Sequence, residues 1–483
     1  MRLTEREDKL ELMMKNRTFL HALFICVAFI WATGIGQQAA RGPLRQLPSN
    51  PRWFTDGTGK AVFLAGSHVW WNLQDNNLLM IQGGDPPPIF DYEGYLEFLE
   101  KRHHNFFRLW RWEPTQWTGR QWSHLYPANE LKSCQPHPWI RSGPGVAKDG
   151  KPKFDLTRFN PEYFERLRSR VEAAGNRGIY VSIMLFEGWG AQFLEDAWDY
   201  HPFNLLNNSN GIDADATGYY LVQKTEMGDR VLAAQEAYIR QVIDSVNDLE
   251  NVLYEVCNEA GPYSTAWQYH VIKYVKEYQA NKPKQHPVGM TFQYRGGLNS
   301  TLFEGPADWV SPNPGLPEEN YREDPSSETH GKVVISDTDH LWGHTGGDAV
   351  WVWKSFTRGL NVLLMEEMVP SPTWQDSARE AMDQARRYAE KINLVGMSPA
   401  GELSSTGYCL AESGREYLVF QPGSQGIFSV NLSDVPGKCT VEWLSVISQI
   451  SLDGQDVTGG GRRTFSTPFG DPAVLHLKCS PAQ

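Results

Sequence analysis

The stretch Asn251-Val-Leu-Tyr-Glu-Val-Cys-Asn-Glu-Ala260 governs how the rest of the chain is interpreted. It begins as a short apolar run, which is typical of a strand buried in a larger sheet. It ends in Asn258-Glu259, and the chain breaker Gly261-Pro262 follows at once. A carboxylate at the end of a buried strand lies at the rim of the sheet, and in a parallel α/β barrel that rim carries the chemistry. The alternative is a glutamate that caps the next helix or pairs with a surface arginine.

Short apolar strands, polar or aromatic loops and amphipathic helices alternate between residues 61 and 392. The predicted strands are Ala61–Gly66, Asn105–Arg111, Ile179–Leu185, Asn251–Ala260, Pro287–Phe292, Asp308–Ser311, Lys332–Ser336 and Asn361–Met365. Eight strand–helix units predict the α/β class and a (β/α)8 TIM barrel, with long insertions after the second and third strands. A doubly wound open sheet is the alternative. That fold usually has a glycine-rich phosphate turn after its first strand, where this chain has Gly66-Ser67-His68-Val69-Trp70.

The pattern changes after Gly401. Short runs of strand-forming residues continue to the C-terminus, separated by turns rich in Gly, Pro and Asp. This spacing, without a helical period, predicts a small all-β sandwich. We therefore expect a barrel domain over residues 41–400 and a β-sandwich module over residues 401–483.

The first 40 residues have the features of a targeting segment. Lys15 and Arg17 precede an apolar run from Phe19 to Trp31, and small residues follow it. The run is short for a membrane span, although an uncleaved anchor remains an alternative. We expect residues 1–40 to be a signal peptide or N-terminal anchor, and the protein to be secreted or extracytoplasmic.

Composition narrows the classes of partner. The formal net charge is -12 and no basic run is present, so a nucleic-acid partner is not expected. The 18 tryptophans favour flat, weakly charged ligands such as sugar rings, although tryptophan is also a core residue. No His-x-His or HExxH spacing occurs, and we expect neither a metal nor a cofactor.

The cysteines do not form a recognisable motif. Without the leader an odd number remain, and no CxxC occurs, so neither a disulfide framework nor a zinc site is indicated. Cys257 lies within the fourth strand and is expected in the core. A pairing of Cys439 with Cys479 within the last module is the remaining option.

Polar and aromatic side chains collect at the ends of the predicted strands. They are His68, Trp70, Arg108, Trp110, Glu187, Trp189, Asn258, Glu259, Tyr294, Asp337, Asp339, His340, Trp342 and, after the eighth strand, Glu366 or Glu367, of which we select Glu367. In a barrel these side chains converge on one mouth. Carboxylates, imidazoles and indoles together suit glycoside hydrolysis, in which one carboxylic acid protonates the leaving oxygen and a second carboxylate attacks or stabilises the anomeric carbon.

Three signatures, in strand order, resemble the clan A glycoside hydrolases, which include the family 5 cellulases. Arg108, in Asn105-Phe106-Phe107-Arg108, is similar to the clan's second-strand arginine, which holds the nucleophile's carboxylate. Asn258-Glu259 is similar to its fourth-strand pair, in which Glu is the acid/base and Asn contacts the sugar. Val333-Val334-Ile335-Ser336-Asp337 is similar to the seventh-strand run that ends in the nucleophile. The clan has Glu there and this chain has Asp337, which puts a covalent retaining mechanism in doubt.

A second resemblance spans almost the whole mature chain. It is to secreted bacterial proteins that join a cellulase-like barrel to a C-terminal module labelled a collagen-binding domain. The matching pieces include Gly66-Ser67-His68, Ser336-Asp337-Thr338-Asp339-His340-Leu341-Trp342 and Phe428-Ser429-Val430-Asn431-Leu432. The resemblance implies a carbohydrate substrate. It also implies an extracellular matrix or cell-wall glycan as a candidate partner of the module.

These observations favour a secreted glycoside hydrolase that cleaves O-glycosidic bonds of a poly- or oligosaccharide. We expect Glu259, Asp337 and Asp339 to be the catalytic candidates, with Arg108 contacting Asp337, and the remaining strand-end residues to bind substrate. The alternative is a non-catalytic glycan- or collagen-binding protein built on a hydrolase-like barrel. A metal-dependent hydrolase that uses Asp337, Asp339 and His340 is the least favoured class.

Overall fold

Eight parallel strands close into a barrel, which confirms the predicted fold. In chain order they are β1 (Ala65–His68), β2 (Phe106–Leu109), β3 (Tyr180–Glu187), β4 (Val252–Asn258), β5 (Val288–Thr291), β6 (Trp309–Ser311), β7 (Val333–Asp337) and β8 (Asn361–Met365). Each strand pairs in parallel with the next, and β8 pairs with β1. All residues of these strands are buried, as expected where helices cover the outside and side chains fill the inside.

The computed structural model describes residues 38–77, 85–118, 131–194, 196–214, 223–224, 229–315, 320–343, 346–366, 375–423 and 426–480. The predicted targeting segment lies almost entirely outside these ranges and stays a prediction. Among the described residues, no helix is long and apolar enough to cross a membrane.

The α-helices are α1 (Tyr92–Lys101), α2 (Pro161–Asn176), α3 (Trp189–Phe193), α4 (Asp229–Val246), α5 (Thr265–Gln279), α6 (Asn299–Glu304), α7 (Thr338–Trp342), α8 (Ala349–Thr357) and α9 (Asp376–Lys391). Asn160 caps α2, since its side chain accepts a hydrogen bond from the backbone of Glu162. Asp337 caps α7 in the same way, so the last residue of β7 also starts the next helix.

The first barrel strand begins four residues later than predicted. Val62 instead pairs with Phe54 in an antiparallel bridge. Phe54–Thr55 also pairs with Arg45–Gln46. The apolar run at 61–66 is therefore divided between this N-terminal hairpin and β1. Phe54 packs with Leu64 and Leu253 in an apolar cluster near the N-terminal ends of the strands.

The insertion after β2 is more regular than predicted. Within this insertion, residues Trp139–Val146 pair with Pro152–Phe159 in a hairpin, and Gln116–Thr118 pairs with Leu131–Gln135. Gly143, Pro144 and Gly145 interrupt the first strand of the hairpin, and Gln116–Thr118 is only three residues long, so the sequence pattern did not indicate these strands.

The C-terminal part is all-β apart from one turn of 3-10 helix, as predicted. Its strands are β9 (Ser398–Pro399), β10 (Cys409–Glu412), β11 (Glu416–Gln421), β12 (Ile427–Leu432), β13 (Lys438–Ser445), β14 (Ser451–Thr458), β15 (Gly461–Ser466) and β16 (Ala473–Cys479). Six of them form one sheet, in the order β9-β10-β11-β16-β13-β14, and β12 pairs with β15. Apolar residues of both sheets, including Val419, Val430 and Phe465, share one core. Cys439 and Cys479 form a disulfide, the pairing left open above.

The other face of the six-stranded sheet packs on the barrel. Trp353 of α8 stacks on Phe420 of β11 with ring centroids 6.3 Å apart. Gln384 of α9 donates a 3.1 Å hydrogen bond to the backbone of Val446. Residues Ala39–Gln483 form one compact unit that contains both parts. The division into domains at residue 400 stays a prediction.

Candidate active site

The predicted strand-end residues meet at the C-terminal end of the barrel. Arg108 lies on β2, Glu187 ends β3, Asn258 ends β4 and Asp337 ends β7. Because parallel strands end at the same rim, residues more than 200 positions apart come within hydrogen-bonding distance. The expected contact between Arg108 and Asp337 is present, with Nη1 3.0 Å from Oδ2.

Arg108 is the centre of this site and is 1% exposed. Its Nη2 donates to Asn258 Oδ1 at 2.6 Å, and its Nη1 also donates to Asp339 Oδ2 at 3.2 Å. Nε and Nη2 also donate to Glu255, within β4, at 2.8 and 2.6 Å. Burial alone would lower the pKa of Arg108, but the charge and hydrogen bonds of Glu255 raise it well above its ordinary value. The guanidinium is therefore a permanent cation among carboxylates.

Both carboxylate oxygens of Asp337 are occupied. Oδ1 lies 3.1 Å from His68 Nε2 and accepts a 3.0 Å hydrogen bond from the backbone N–H of Asp339. Oδ2 accepts from Arg108. Burial opposes ionisation of this fully buried carboxyl, but His68 and Arg108 hold its pKa well below the usual range. Asp337 is therefore a carboxylate enclosed by donors.

Asp339, in the first turn of α7, has a different environment. Oδ2 accepts from Arg108, and the carboxylate also lies beside the charge of Asp337. Burial, followed by that like charge, raises the pKa of Asp339 to about 6. Asp339 lines a pocket at the barrel mouth together with Asn258.

Glu259 follows β4 in a left-handed backbone conformation, with φ of 47°. Such a conformation is unfavourable for a residue with a Cβ, by roughly 1–3 kcal/mol. Its backbone oxygen accepts a hydrogen bond from the Gln192 side chain, which helps to hold this turn. Gly188 permits it, since a Cβ there would lie 2.5 Å from the Cα of Ala260. The strained backbone directs a carboxyl to a defined place, a feature that clusters at functional sites.

The Glu259 side chain is buried among other acids. Burial, followed by the negative charge of Asp339, raises the pKa of Glu259 well above its ordinary value. Arg108 opposes this shift without reversing it. A carboxyl in this environment keeps its proton toward neutral pH, as a general acid must.

Four indoles enclose the pocket. Trp70, Trp110 and Trp189 were predicted, and Trp112 was not. Trp70 lies 6.0 Å from Trp110 and 6.3 Å from Trp189, measured between ring centroids. Tyr294 does not contact the indoles directly but is linked to them through Phe193, whose ring centroid lies about 5 Å from those of both Trp189 and Tyr294.

Neutral polar groups complete the mouth. His340 Nδ1 lies 2.7 Å from Ser311 Oγ, and His340 Nε2 lies 3.2 Å from Asn258 Oδ1. Burial, with the nearby Arg108, lowers the pKa of His340 to about 3. His340 is therefore an uncharged ring that orients Asn258.

Among the described residues, Glu187 and Trp342 were predicted to bind substrate but do not line this pocket. Glu187 is fully buried, and its Oε1 accepts a hydrogen bond from the backbone N–H of Gly190 in the first turn of α3. Trp342 packs edge-on against Trp351 of α8 at 5.7 Å and is not among the described residues that line the pocket. Glu367 lies outside the described residues. Its neighbour Glu366 forms a buried ion pair with Arg379.

Glu255, Trp112 and Glu113 were not predicted from the sequence. Glu255 lay inside the quoted stretch, and a charged residue in the middle of an apolar strand requires a buried cation as its partner. The position of Glu255 within the strand could therefore have indicated a buried cationic partner. Glu113 accepts from the backbone of Glu187 at 2.9 Å and lies 3.0 Å from His201 Nε2, behind the end of β3. No sequence motif marks it.

A metal ion does not fit the cluster that has the right residue types. Within the described part of the chain, His68, Asp337 and Asp339 offer ligand atoms within 4.8 Å of one another. Arg108 Nη1 already lies 3.0 and 3.2 Å from the two carboxylates. A second cation at this place would be repelled by the guanidinium, and the Asp337 oxygens have their donors already.

Known proteins support the fold of this site. A family described as "Domain of unknown function (DUF6298)" matches residues 128–294. No curated protein matches the chain. Among solved structures, a protein named "Glycoside hydrolase" is 13% identical, with a TM-score of 0.57, over 92% of this chain and 98% of its own. A glycoside hydrolase family 5 protein from Bacteroides vulgatus is 13% identical with a TM-score of 0.58, over 92% and 95% of the two chains. At this identity the likeness establishes the glycoside-hydrolase-like barrel fold alone.

Proposed function

We propose that this chain is a secreted glycoside hydrolase that cleaves O-glycosidic bonds of a poly- or oligosaccharide. One observation carries the proposal: the strained, buried Glu259 lies within electrostatic reach of the Asp337–Asp339 pair that Arg108 holds, and Asp339 lines a tryptophan-walled pocket at the barrel mouth. Two carboxyl groups with opposed protonation states are what glycoside hydrolysis requires.

Glu259 takes the role of general acid. Its raised pKa keeps a proton available for the leaving glycosidic oxygen. The second carboxylate comes from the aspartate pair, whose charge Arg108 stabilises. It either attacks the anomeric carbon or activates a water there.

The two half-buried tryptophans of the pocket, Trp70 and Trp189, take the role of sugar platforms, with the buried Trp110 and Trp112 packed against them. Trp70, Trp110, Trp112 and Trp189 surround Asn258 and Asp339. Indole faces contact the apolar face of a sugar ring, while Asn258, held by Arg108 and His340, offers an amide to a hydroxyl. A carbohydrate is the substrate class that uses both kinds of contact.

Location and the C-terminal module extend the proposal. The apolar run after Lys15 and Arg17 supports export, as a signal peptide or an anchor. The β-module, closed by the Cys439–Cys479 disulfide, supports an oxidising compartment. We propose that it contacts matrix or cell-wall glycan while the barrel hydrolyses its substrate.

The direct test is hydrolysis by the purified full chain over a panel of aryl glycosides and oligosaccharides. Glu259→Gln should lower kcat by about 10²–10⁴ on an active substrate, since it removes general acid catalysis. The matched control is Glu236→Gln on α4, which removes a glutamate that pairs with His270 on the outside of the barrel. Equal rates for Glu259→Gln and the wild type would contradict the proposal.

A second candidate, a non-catalytic glycan- or collagen-binding protein, is favoured by one observation. Asp337, at the position of the clan's nucleophile, is enclosed by three donors. Glycan-array and collagen-binding measurements on the full chain separate the two candidates. Retention of a glycan that the chain never cleaves would favour binding, and turnover of the retained glycan would favour catalysis.

A further inference from the structure

Asp337, the last residue of β7, and Asp339, in the first turn of α7, differ in the number of hydrogen-bond donors that their oxygens face. Asp337 is 0% exposed, and its two oxygens together face His68, Arg108 and the backbone N–H of Asp339. A nucleophile or base needs a lone pair directed at the substrate. The Asp337 carboxylate is fully buried among its three donors and does not line the pocket.

Asp339 keeps such a lone pair. Within the described part of the chain, its side chain accepts one hydrogen bond, from Arg108 Nη1 to Oδ2 at 3.2 Å. Oδ1 faces no donor among those residues. Asp339 lines the indole-walled pocket, and Asp337 does not. Of the two aspartate charges, that of Asp339 also raises the pKa of Glu259 more, so it acts more strongly on the proposed acid.

Helix α7 explains how this arrangement arises. Asp337 ends β7 and also accepts from the Asp339 N–H as the cap of α7. Capping turns the chain immediately after the strand, so the Asp337 carboxylate faces the helix start. The next acid, two residues later, is placed in the first turn beside the pocket.

We infer that Asp339, and not Asp337, is the carboxylate that faces the anomeric carbon, an assignment that rests on the glycoside hydrolase function proposed above. Asp337 is then a positioning residue that holds His68, Arg108 and the start of α7. The position expected from the clan resemblance is thereby moved by two residues, from the end of β7 into α7.

The chemistry balances with Asp339 in this role. In a retaining reaction, an Asp339 oxygen bonds to the anomeric carbon while the bond to the leaving oxygen breaks and that oxygen takes the proton of Glu259. Water then gives a proton to Glu259, bonds to the same carbon and releases Asp339. In an inverting reaction, Asp339 takes a proton from the water that bonds to the anomeric carbon, while Glu259 protonates the leaving oxygen.

The first test needs no substrate. Asp337→Asn should lower the Tm of the full chain by roughly 5 °C or more, because an amide NH₂ then faces buried donors. Asp339→Asn, the matched variant, should leave Tm within about 2 °C or raise it, because it removes a buried like charge. Asp339→Asn as destabilising as Asp337→Asn would overturn the inference.

The second test identifies the reacting carboxylate. On an aryl glycoside that the wild type hydrolyses, azide should accelerate Asp339→Ala by roughly tenfold or more and yield a glycosyl azide, since the small anion replaces the missing carboxylate. Azide should not accelerate Asp337→Ala. Rescue of Asp337→Ala alone would overturn the inference. A wild type without activity on any glycoside would instead contradict the proposed function, while the Tm comparison would still test the placement of the two carboxylates.

Discussion

Arg108 on β2 and Glu255 on β4 are joined by two hydrogen bonds, from Nε to Oε2 at 2.8 Å and from Nη2 to Oε1 at 2.6 Å. Both side chains are buried inside the barrel. The guanidinium is thus fixed from behind, with its remaining Nη1 directed to Asp337 and Asp339. The geometry of the mouth depends on this pair, although Glu255 itself touches neither aspartate.

Glu255→Gln should therefore destabilise the fold strongly. It leaves Arg108 without its bidentate partner, and removal of one member of a buried ion pair costs about 3–5 kcal/mol. Denaturant unfolding measures the loss. The control is Glu250→Gln, whose partner Lys284 lies 2.7 Å away at the surface, and which should cost no more than about 1 kcal/mol. Similar losses for the two variants would contradict the role assigned to Glu255.

The pH profile of kcat/KM should be bell-shaped. Asp339 acts as a carboxylate, so activity should rise as pH passes through its pKa of about 6. Glu259 acts as an acid, so activity should fall as pH passes through its raised pKa. In Glu259→Gln the alkaline fall should disappear, while the acid limb near pH 6 remains. Persistence of the alkaline fall in that variant would exclude Glu259 as its source.

Stability should also depend on the protonation of Asp339. Its folded-state pKa of about 6 exceeds the ordinary 3.8, so its contribution to stability is complete below 3.8 and is lost as pH rises toward 6. Asp339→Asn should remove this loss, and its advantage over the wild type should grow by on the order of 2–3 kcal/mol across that interval. If the difference in unfolding free energy between Asp339→Asn and the wild type is the same at pH 4 and pH 7, Asp339 is not the group responsible for the pH dependence.

Two tryptophans permit a matched test of sugar binding. Trp189 lines the pocket, whereas Trp342 packs against Trp351 and does not. Both are half-buried. Trp189→Ala should raise KM by roughly three- to tenfold, from a lost aromatic contact of about 0.5–1.5 kcal/mol. Trp342→Ala should leave KM within about twofold. An equal rise in both would mean that neither change reports on the pocket.

The disulfide should stabilise the β-module. Cys439 and Cys479 are separated by 40 residues, and in the chain-entropy account a link across a loop of this length contributes about 4 kcal/mol. The double variant Cys439→Ala, Cys479→Ala should lose about 2–4 kcal/mol in unfolding. A reducing agent should destabilise the wild type by a similar amount and leave the double variant unchanged.

The sequence by itself determined the barrel, the β-module and the identity of most residues at the mouth. Each of these depends on a local pattern: apolar runs of strand length, a helical period between them, and polar residues where the runs stop. His68, Arg108, Asn258 and Asp337 were found because they lie at strand ends, and parallel strands bring those ends to one rim.

Only the tertiary structure decided which groups face the substrate. Asp337 and Asp339 are two residues apart, so in a continuous strand both side chains would face the same side. The cap of α7 instead encloses Asp337 and leaves Asp339 beside the pocket. Trp112, which was not predicted, lines the pocket, whereas the predicted Trp342 does not. Barrel closure sets the distances among residues 108, 255, 258, 337 and 339, and those distances decide hydrogen bonding and charge. No local pattern encodes them, because they arise from packing of strands far apart in the chain.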